Sequence, residues 1–240
     1  MRSALTATAC VVPAAALAQT APAPPPKHEL AVEFAFVAAT GNAETQTLGV
    51  SGEYLYRPGR WSFHWSAGYV RSETEDTVSA ESLQFLFRAD GELSERMSAF
   101  GQWTYFHDAF AGIEHRNVVA SGLSYAFIQP GTHGLTVDGG LGYTNEQRLA
   151  SDDISAAVAV TGLRYELHLS ETAAITDDTS VEFSLSAADE WRATNVAAVS
   201  AKLTTVLSLK LSITIRYVHV PAPGFVDTDT VTAVALVAKF

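Results

Sequence analysis

From His28 to the last residue, apolar side chains recur at every second position. Trp61, Phe63, Trp65, Ala67 and Tyr69 alternate with Ser62, His64, Ser66 and Gly68. Successive side chains of an extended strand point to opposite faces, so this segment is a strand with one apolar and one polar face. A helix would scatter both sets around its surface. The alternation marks twelve segments: 28–39, 46–56, 61–69, 81–89, 97–106, 117–127, 134–144, 156–168, 179–186, 197–207, 209–219 and 231–240. Charge obeys the same parity. Glu33, Glu53, Arg88, Asp138, Arg164, Glu166, Glu182, Lys202, Lys210, Arg216 and Lys239 fall on the polar face, opposite rows of Tyr, Trp, Phe and Leu.

Two kinds of β-protein fit such faces. In a secreted sandwich or lipocalin-like barrel, charges meet water and apolar rows meet a second protein layer. In an outer-membrane barrel, apolar rows meet lipid and charges line the lumen. Three features favour the membrane barrel. Tight connections (Arg57–Arg60, Asp90–Arg96, Gln129–Thr132, Ser170–Thr172 and a turn near Ser208) alternate with polar, often longer ones (Thr40–Thr45, Ser72–Val78, His107–Arg116, Asn145–Asp153, Asp189–Asn195 and Pro221–Thr230). The strand number is even, which puts both termini on the turn side, the periplasm. The chain stops at Phe240, on an apolar strand position, and a terminal aromatic is read as the assembly signal. Closure is obligatory, because an open edge would leave unpaired backbone groups in hydrocarbon. The expected fold is a closed, all-β antiparallel transmembrane barrel of about twelve strands.

Composition agrees. Hydrophobic residues make up 48% and charged residues 17%, where a soluble domain has about 25% charged. No stretch beyond residue 30 supplies the ~20 apolar residues of a spanning helix. With 15 Lys and Arg against 26 Asp and Glu, net charge −11, there is no cationic patch for nucleic acid. Residues 1–18 read as a signal peptide, with Arg2 before an apolar stretch and cleavage after Ala18. Cys10, the one cysteine, leaves with it. Residues 19–27, rich in Pro and Ala, form a semi-rigid spacer, and 28–240 form the barrel.

Leu93-Ser-Glu-Arg96, Phe100-Gly101, Phe110-Ala-Gly-Ile-Glu-His-Arg116 and Gly122-Leu-Ser-Tyr125 resemble the YdiY-like salt-induced outer-membrane proteins (domain of unknown function 481). Thr40–Thr45, Leu207–Ser212 and Asp227–Thr230 extend the resemblance over about 30–240. His115 stands where the family usually has tyrosine, and Ala238 where an aromatic is frequent. The resemblance implies an outer-membrane β-barrel and a link to salt or osmotic stress, but no substrate. The partners expected of such a barrel are outer-membrane lipids, lipopolysaccharide, the barrel-assembly machinery and periplasmic chaperones.

Catalytic or metal chemistry finds little purchase. The seven histidines are scattered singly, with no His-x-His, His-Glu-x-x-His, calcium loop or glycine-rich phosphate loop. No metal or cofactor is expected. His107-Asp108 and Glu114-His115-Arg116 suggest a rim site, but no serine is placed beside either histidine as a hydrolase needs. The lumen of a twelve-stranded barrel lies between the filled eight-stranded and the open 16-stranded cases. With both signs of charge facing inward, it reads as mostly occluded. The expected function is a structural envelope barrel without catalytic activity. The alternatives are a narrow channel for ions or small solutes, and a lipid-modifying enzyme.

Overall fold

A computed structural model describes residues 26–39, 45–149, 151–187 and 190–240. The expected signal peptide, its expected cleavage site at Ala18 and most of the expected spacer lie outside the described residues. Twelve strands form one closed barrel: β1 (His28–Ala39), β2 (Thr45–Tyr56), β3 (Trp61–Thr74), β4 (Thr77–Glu92), β5 (Met97–Asp108), β6 (Ile113–Ile128), β7 (His133–Arg148), β8 (Ile154–His168), β9 (Ala173–Ser184), β10 (Trp191–Lys202), β11 (Leu207–Val218) and β12 (Thr228–Lys239). Every strand pairs antiparallel with its sequence neighbours. The ring closes where β1 meets β12, from Ala31 opposite Lys239 to Phe34 opposite Leu236. Phe240 extends that seam: its N–H donates to the Leu30 carbonyl (2.8 Å) and its carbonyl accepts from the Leu30 N–H (3.1 Å).

One end of the barrel carries short turns at 57–60, 93–96, 129–132, 169–172 and 203–206. Three of these share one device. The hydroxyls of Ser94, Ser170 and Thr204 each accept from the backbone N–H groups two and three residues on. Each follows a leucine (Leu93, Leu169, Leu203) whose N–H donates to the first residue of the next strand. Such local side-chain bonds favour turns over continued strand. The other two turns use Pro-Gly, with Gly59 at φ +70°.

The opposite end is more varied. Glu75 and Asp76, both at positive φ, make a two-residue hairpin. After β5, the Asp108 carboxylate caps a 3-10 turn over 109–111 by accepting from Phe110 and Ala111 N–H. The longest connection at this end among the described residues is 219–227.

The two faces separate as the alternation requires. Leu141 (63% exposed), Phe34, Leu123, Leu211 and Ile213 point outward, while Val118, Ala120, Val158 (1%) and Glu146 (1%) are buried inside. The outward face carries aromatics at both ends. His28, Tyr54, Tyr56, Trp61, Phe63 and Trp65 stack near the turns, and Trp191, Tyr217 and His219 group near the loops. Paired aromatic belts flanking an aliphatic band are the exterior of a membrane barrel.

Three details depart from the sequence reading. Strands β4, β6 and β7 run further towards the loop end, so the connections there are shorter than expected. Strands β9 and β10 begin about six residues earlier, and the turn expected near Ser208 lies at 203–206. The shift sets Asp177, Thr179 and Asn195 on the outward face, where Asn195 Nδ2 donates to Asp177 Oδ2 (3.0 Å) and Thr179 Oγ1 (2.8 Å). Thr179 Oγ1 in turn donates to Asp177 Oδ1 (3.2 Å), so the three side chains bond to one another.

Candidate functional site: the charged lumen

The barrel wall is sharply folded between β6 and β7. Gly122 and Gly140 are direct partners on the inward face. A methyl group on Gly122 would lie 2.2 Å from the Gly139 carbonyl oxygen, and one on Gly140 would lie 2.4 Å from that of Ser121. Only glycine fits the concave side of such a fold. The bend brings Ser124 and Asp138 within reach of β4.

Arg88 enters this corner from β4. It donates to Asp138 Oδ2 (2.8 Å), Ser124 Oγ (2.8 Å) and Asp90, and its guanidinium lies 4.2 Å from the centroid of Phe100. Arg164 donates to the same Asp138 oxygen (2.8 Å) and stands 3.9 Å from Asp178. A buried charge persists where it is paired and hydrogen-bonded, and Arg88 meets that condition through four side chains when Gln102 is included. Nearby, Lys210 pairs with Glu33 at 2.6 Å. Glu166 meets His168 at 3.0 Å. Glu53 faces the lumen and Lys202 lies beside the 203–206 turn, neither with an ion partner among the described residues. This half of the lumen is hollow: Arg164 and Asp178 point inward yet remain 47% and 55% exposed at the side chain.

The loop half is filled. Glu146, on β7, receives Arg148 (2.6 Å), Arg192 (2.7 Å) and Arg116 (3.4 Å), and Arg116 also reaches Glu182 at 2.6 Å. Arg216 crosses from β11 to stack 5.2 Å from the centroid of Phe106 on β5. Those strands stand six places apart in a ring of twelve, so this contact spans the lumen. Above it, the 219–227 loop reaches the same far wall. Phe225 covers Gly112, where an added methyl would lie 2.8 Å from the ring. Gly112 combines that close approach with a φ of +76°, so it has two reasons to lack a side chain.

Arg88, Asp138, Arg164, Glu33, Lys210, Glu182 and Arg216 therefore reach other groups in the interior, while Glu166 is paired locally. By polarity alone the sequence places Arg116, Glu146, Arg148 and Arg192 in loops. They occupy inward positions on strands, and the unbroken alternation Arg116, Val118, Ala120 and Thr144, Glu146, Arg148 is the signal that locates them. His107 and His115 also lie on strands, on the outer rim. Their Nδ1 atoms meet the Glu114 carbonyl oxygen and the Tyr105 hydroxyl. Among the described residues neither is hydrogen-bonded to a serine, and no cluster of three or more metal-binding side chains exists.

The family model described as "Protein of unknown function, DUF481" matches residues 32–240. The chain belongs to the DUF481 family. Its fold is similar to that of the NanC porin, with a TM-score of 0.53, 12% identity and coverage of 87% of this chain and 98% of the porin. It is also similar to the translocator domain of the autotransporter NalP from Neisseria meningitidis, with a TM-score of 0.51, 13% identity and coverage of 91% of this chain and 90% of that domain. At these identities the likeness concerns the fold alone, which is that of outer-membrane β-barrels. A comparison with curated proteins finds no match.

Proposed function

We propose that this protein is an outer-membrane barrel with a closed lumen, serving the envelope under salt or osmotic stress as a structural element and not as an enzyme. The supporting observation is the Arg216–Phe106 contact across the lumen. The loop 219–227 roofs the same passage through Phe225. A stress-associated barrel with this plug strengthens the wall without admitting solute. The link to stress rests on the family resemblance.

In this reading the turn end faces the periplasm, and Phe240, hydrogen-bonded at the β1–β12 seam, is the assembly signal for the barrel-assembly machinery and its chaperones. Lipids and lipopolysaccharide surround the aromatic belts. The inward charges Glu33, Glu53, Arg88, Asp138, Arg164, Glu166, Glu182, Lys202, Lys210 and Arg216 line the interior.

A second reading, a narrow channel, draws on the hollow turn half, where inward-facing Arg164 and Asp178 stay half exposed. Planar-bilayer recording separates the two. The closed barrel gives no unitary steps, and the double variant Arg216→Ala, Phe225→Ala gives steps that the native protein lacks. Steady steps from the native protein would establish the channel instead.

A further inference from the structure

Beneath the 219–227 loop lies a cavity of about 60 Å³, bordered by Phe106, Arg116, Glu146, Arg192, Arg216 and Asp229. By the volume a single water needs, it holds about four waters, or one anion of that size. Arg148 also borders it, so four guanidinium groups meet two carboxylates at its wall.

The donors there are not all used. A guanidinium carries five N–H donors and no acceptor. Among the described residues, Arg216 has no carboxylate within salt-bridge distance and no hydrogen-bond acceptor. Its guanidinium lies instead over the face of Phe106. The Nε of Arg116 is buried without a hydrogen-bond partner, its nearest countercharge being Glu146 Oε2 at 3.4 Å, while its Nη2 is committed to Glu182. Buried polar groups left unpaired are rare in native proteins and call for an explanation. A small oxyanion is one, since carboxylate and phosphate oxygens accept from guanidinium forks with charge-assisted geometry. The roof formed by Pro221, Val226 and the buried Ala222 excludes a bulky lipid headgroup and leaves a free small solute as the occupant.

We infer that the loop-end cavity is a binding site for a small free oxyanion, of the carboxylate or phosphate class, held between Arg216 and Arg116. The site is independent of whether the lumen conducts. Arg216 supplies a charge that makes no salt bridge among the described residues, with its face against Phe106 and with Asp229 on the same cavity wall. Glu146 keeps Arg116, Arg148 and Arg192 from collapsing into the cavity. The 219–227 loop must lift to admit the anion, and Gly224, at φ +90°, lies within it.

Isothermal titration of the full-length barrel, purified in detergent free of lipopolysaccharide and kept in chloride, tests this with inorganic phosphate and with acetate as probes. Saturable binding of at least one probe is expected, weakened at least about tenfold in Arg216→Gln, as loss of a charge-assisted bond implies. Arg57→Gln, at the opposite end of the barrel, should bind as the native protein does. Lipopolysaccharide added to saturation should leave the titration unchanged; displacement would assign the site to a lipid headgroup and overturn the inference. Absence of saturable binding to the native protein, or equal binding by a folded Arg216→Gln variant, overturns it as well. Should that variant fail to fold, the native titration and Arg216→Lys, which keeps the charge but loses the fork, decide the matter.

Discussion

Replacing Val50 by arginine tests the assignment of faces more directly than any other single change. Val50 lies midway along β2, 40% exposed on the outward face, between Phe34 on β1 and Tyr69 on β3. If that face meets hydrocarbon, an arginine there carries a depth-dependent penalty of about 2–4 kcal/mol at the midplane. This lowers the folding equilibrium constant roughly 30- to 700-fold. With a urea dependence of about 2 kcal/mol per molar, the unfolding midpoint falls by about 1–2 M. The companion variant Glu53→Gln lies three residues away on the opposite face. Glu53 has no ion partner among the described residues, and neutralising it should move stability by no more than about 0.5 kcal/mol. Urea titration of both variants in lipid vesicles, read by tryptophan fluorescence and heat-modifiable gel migration, gives the comparison. Equal midpoints, or a larger loss for Glu53→Gln, would refute the placement of lipid outside and charge inside.

Two further substitutions probe the interior. Gly122→Ala puts a methyl 2.2 Å from a backbone oxygen, whereas an equivalent methyl on Gly101 meets nothing within 4 Å. The first should cost about 3 kcal/mol or abolish refolding, and the second should stay within about 1 kcal/mol of the native protein, both read by refolding yield on unboiled gels. Glu146→Gln withdraws the carboxylate shared by three arginines. It should destabilise the barrel by about 3–5 kcal/mol, against about 1 kcal/mol or less for Glu33→Gln, whose pair with Lys210 is more accessible. Parallel urea titrations would expose the error if the two losses were alike.

The faces were legible in the sequence because a pleated strand has a fixed period of two, and one misplaced residue inverts a whole row. Trp61, Phe63 and Trp65 could point only one way once His64 pointed the other. Strand length was less legible. Polar clusters such as His107–Arg116 resemble loops, but a lumen is polar to its rim, so Arg116, Glu146 and Arg192 look the same whether they end a strand or leave it. The start of β9 was hidden for a related reason: Asp177 interrupts the apolar row on its outward face, and β10, rich in alanine, offers weak apolar contrast. The repeated Leu-Ser/Thr turn at 93–94, 169–170 and 203–204 marks the true boundaries and was available. The contact between Phe106 and Arg216 was not, because the alternation specifies a side and not a distance across the ring.

Strand number alone therefore does not decide whether such a barrel is open. Twelve strands fix a circumference between the filled and the water-filled cases, and side-chain volume at each level decides the rest. Towards the turns and the middle, the inward positions of β2, β3, β8 and β9 include Gly49, Ser51, Ser66, Gly68, Gly162 and Ser180, and water reaches Arg164 and Asp178 there. Towards the loops β5, β6, β7, β10 and β11 turn in Phe106, Arg116, Arg148, Arg192 and Arg216. Long cationic side chains fill that space only if countercharge holds them, since like charges left alone would drive one another apart. Glu146 and Glu182 hold Arg116, Arg148 and Arg192 together as a plug, and Arg216 rests on the face of Phe106. Opening the barrel would thus require removing or displacing that plug, without altering the wall itself.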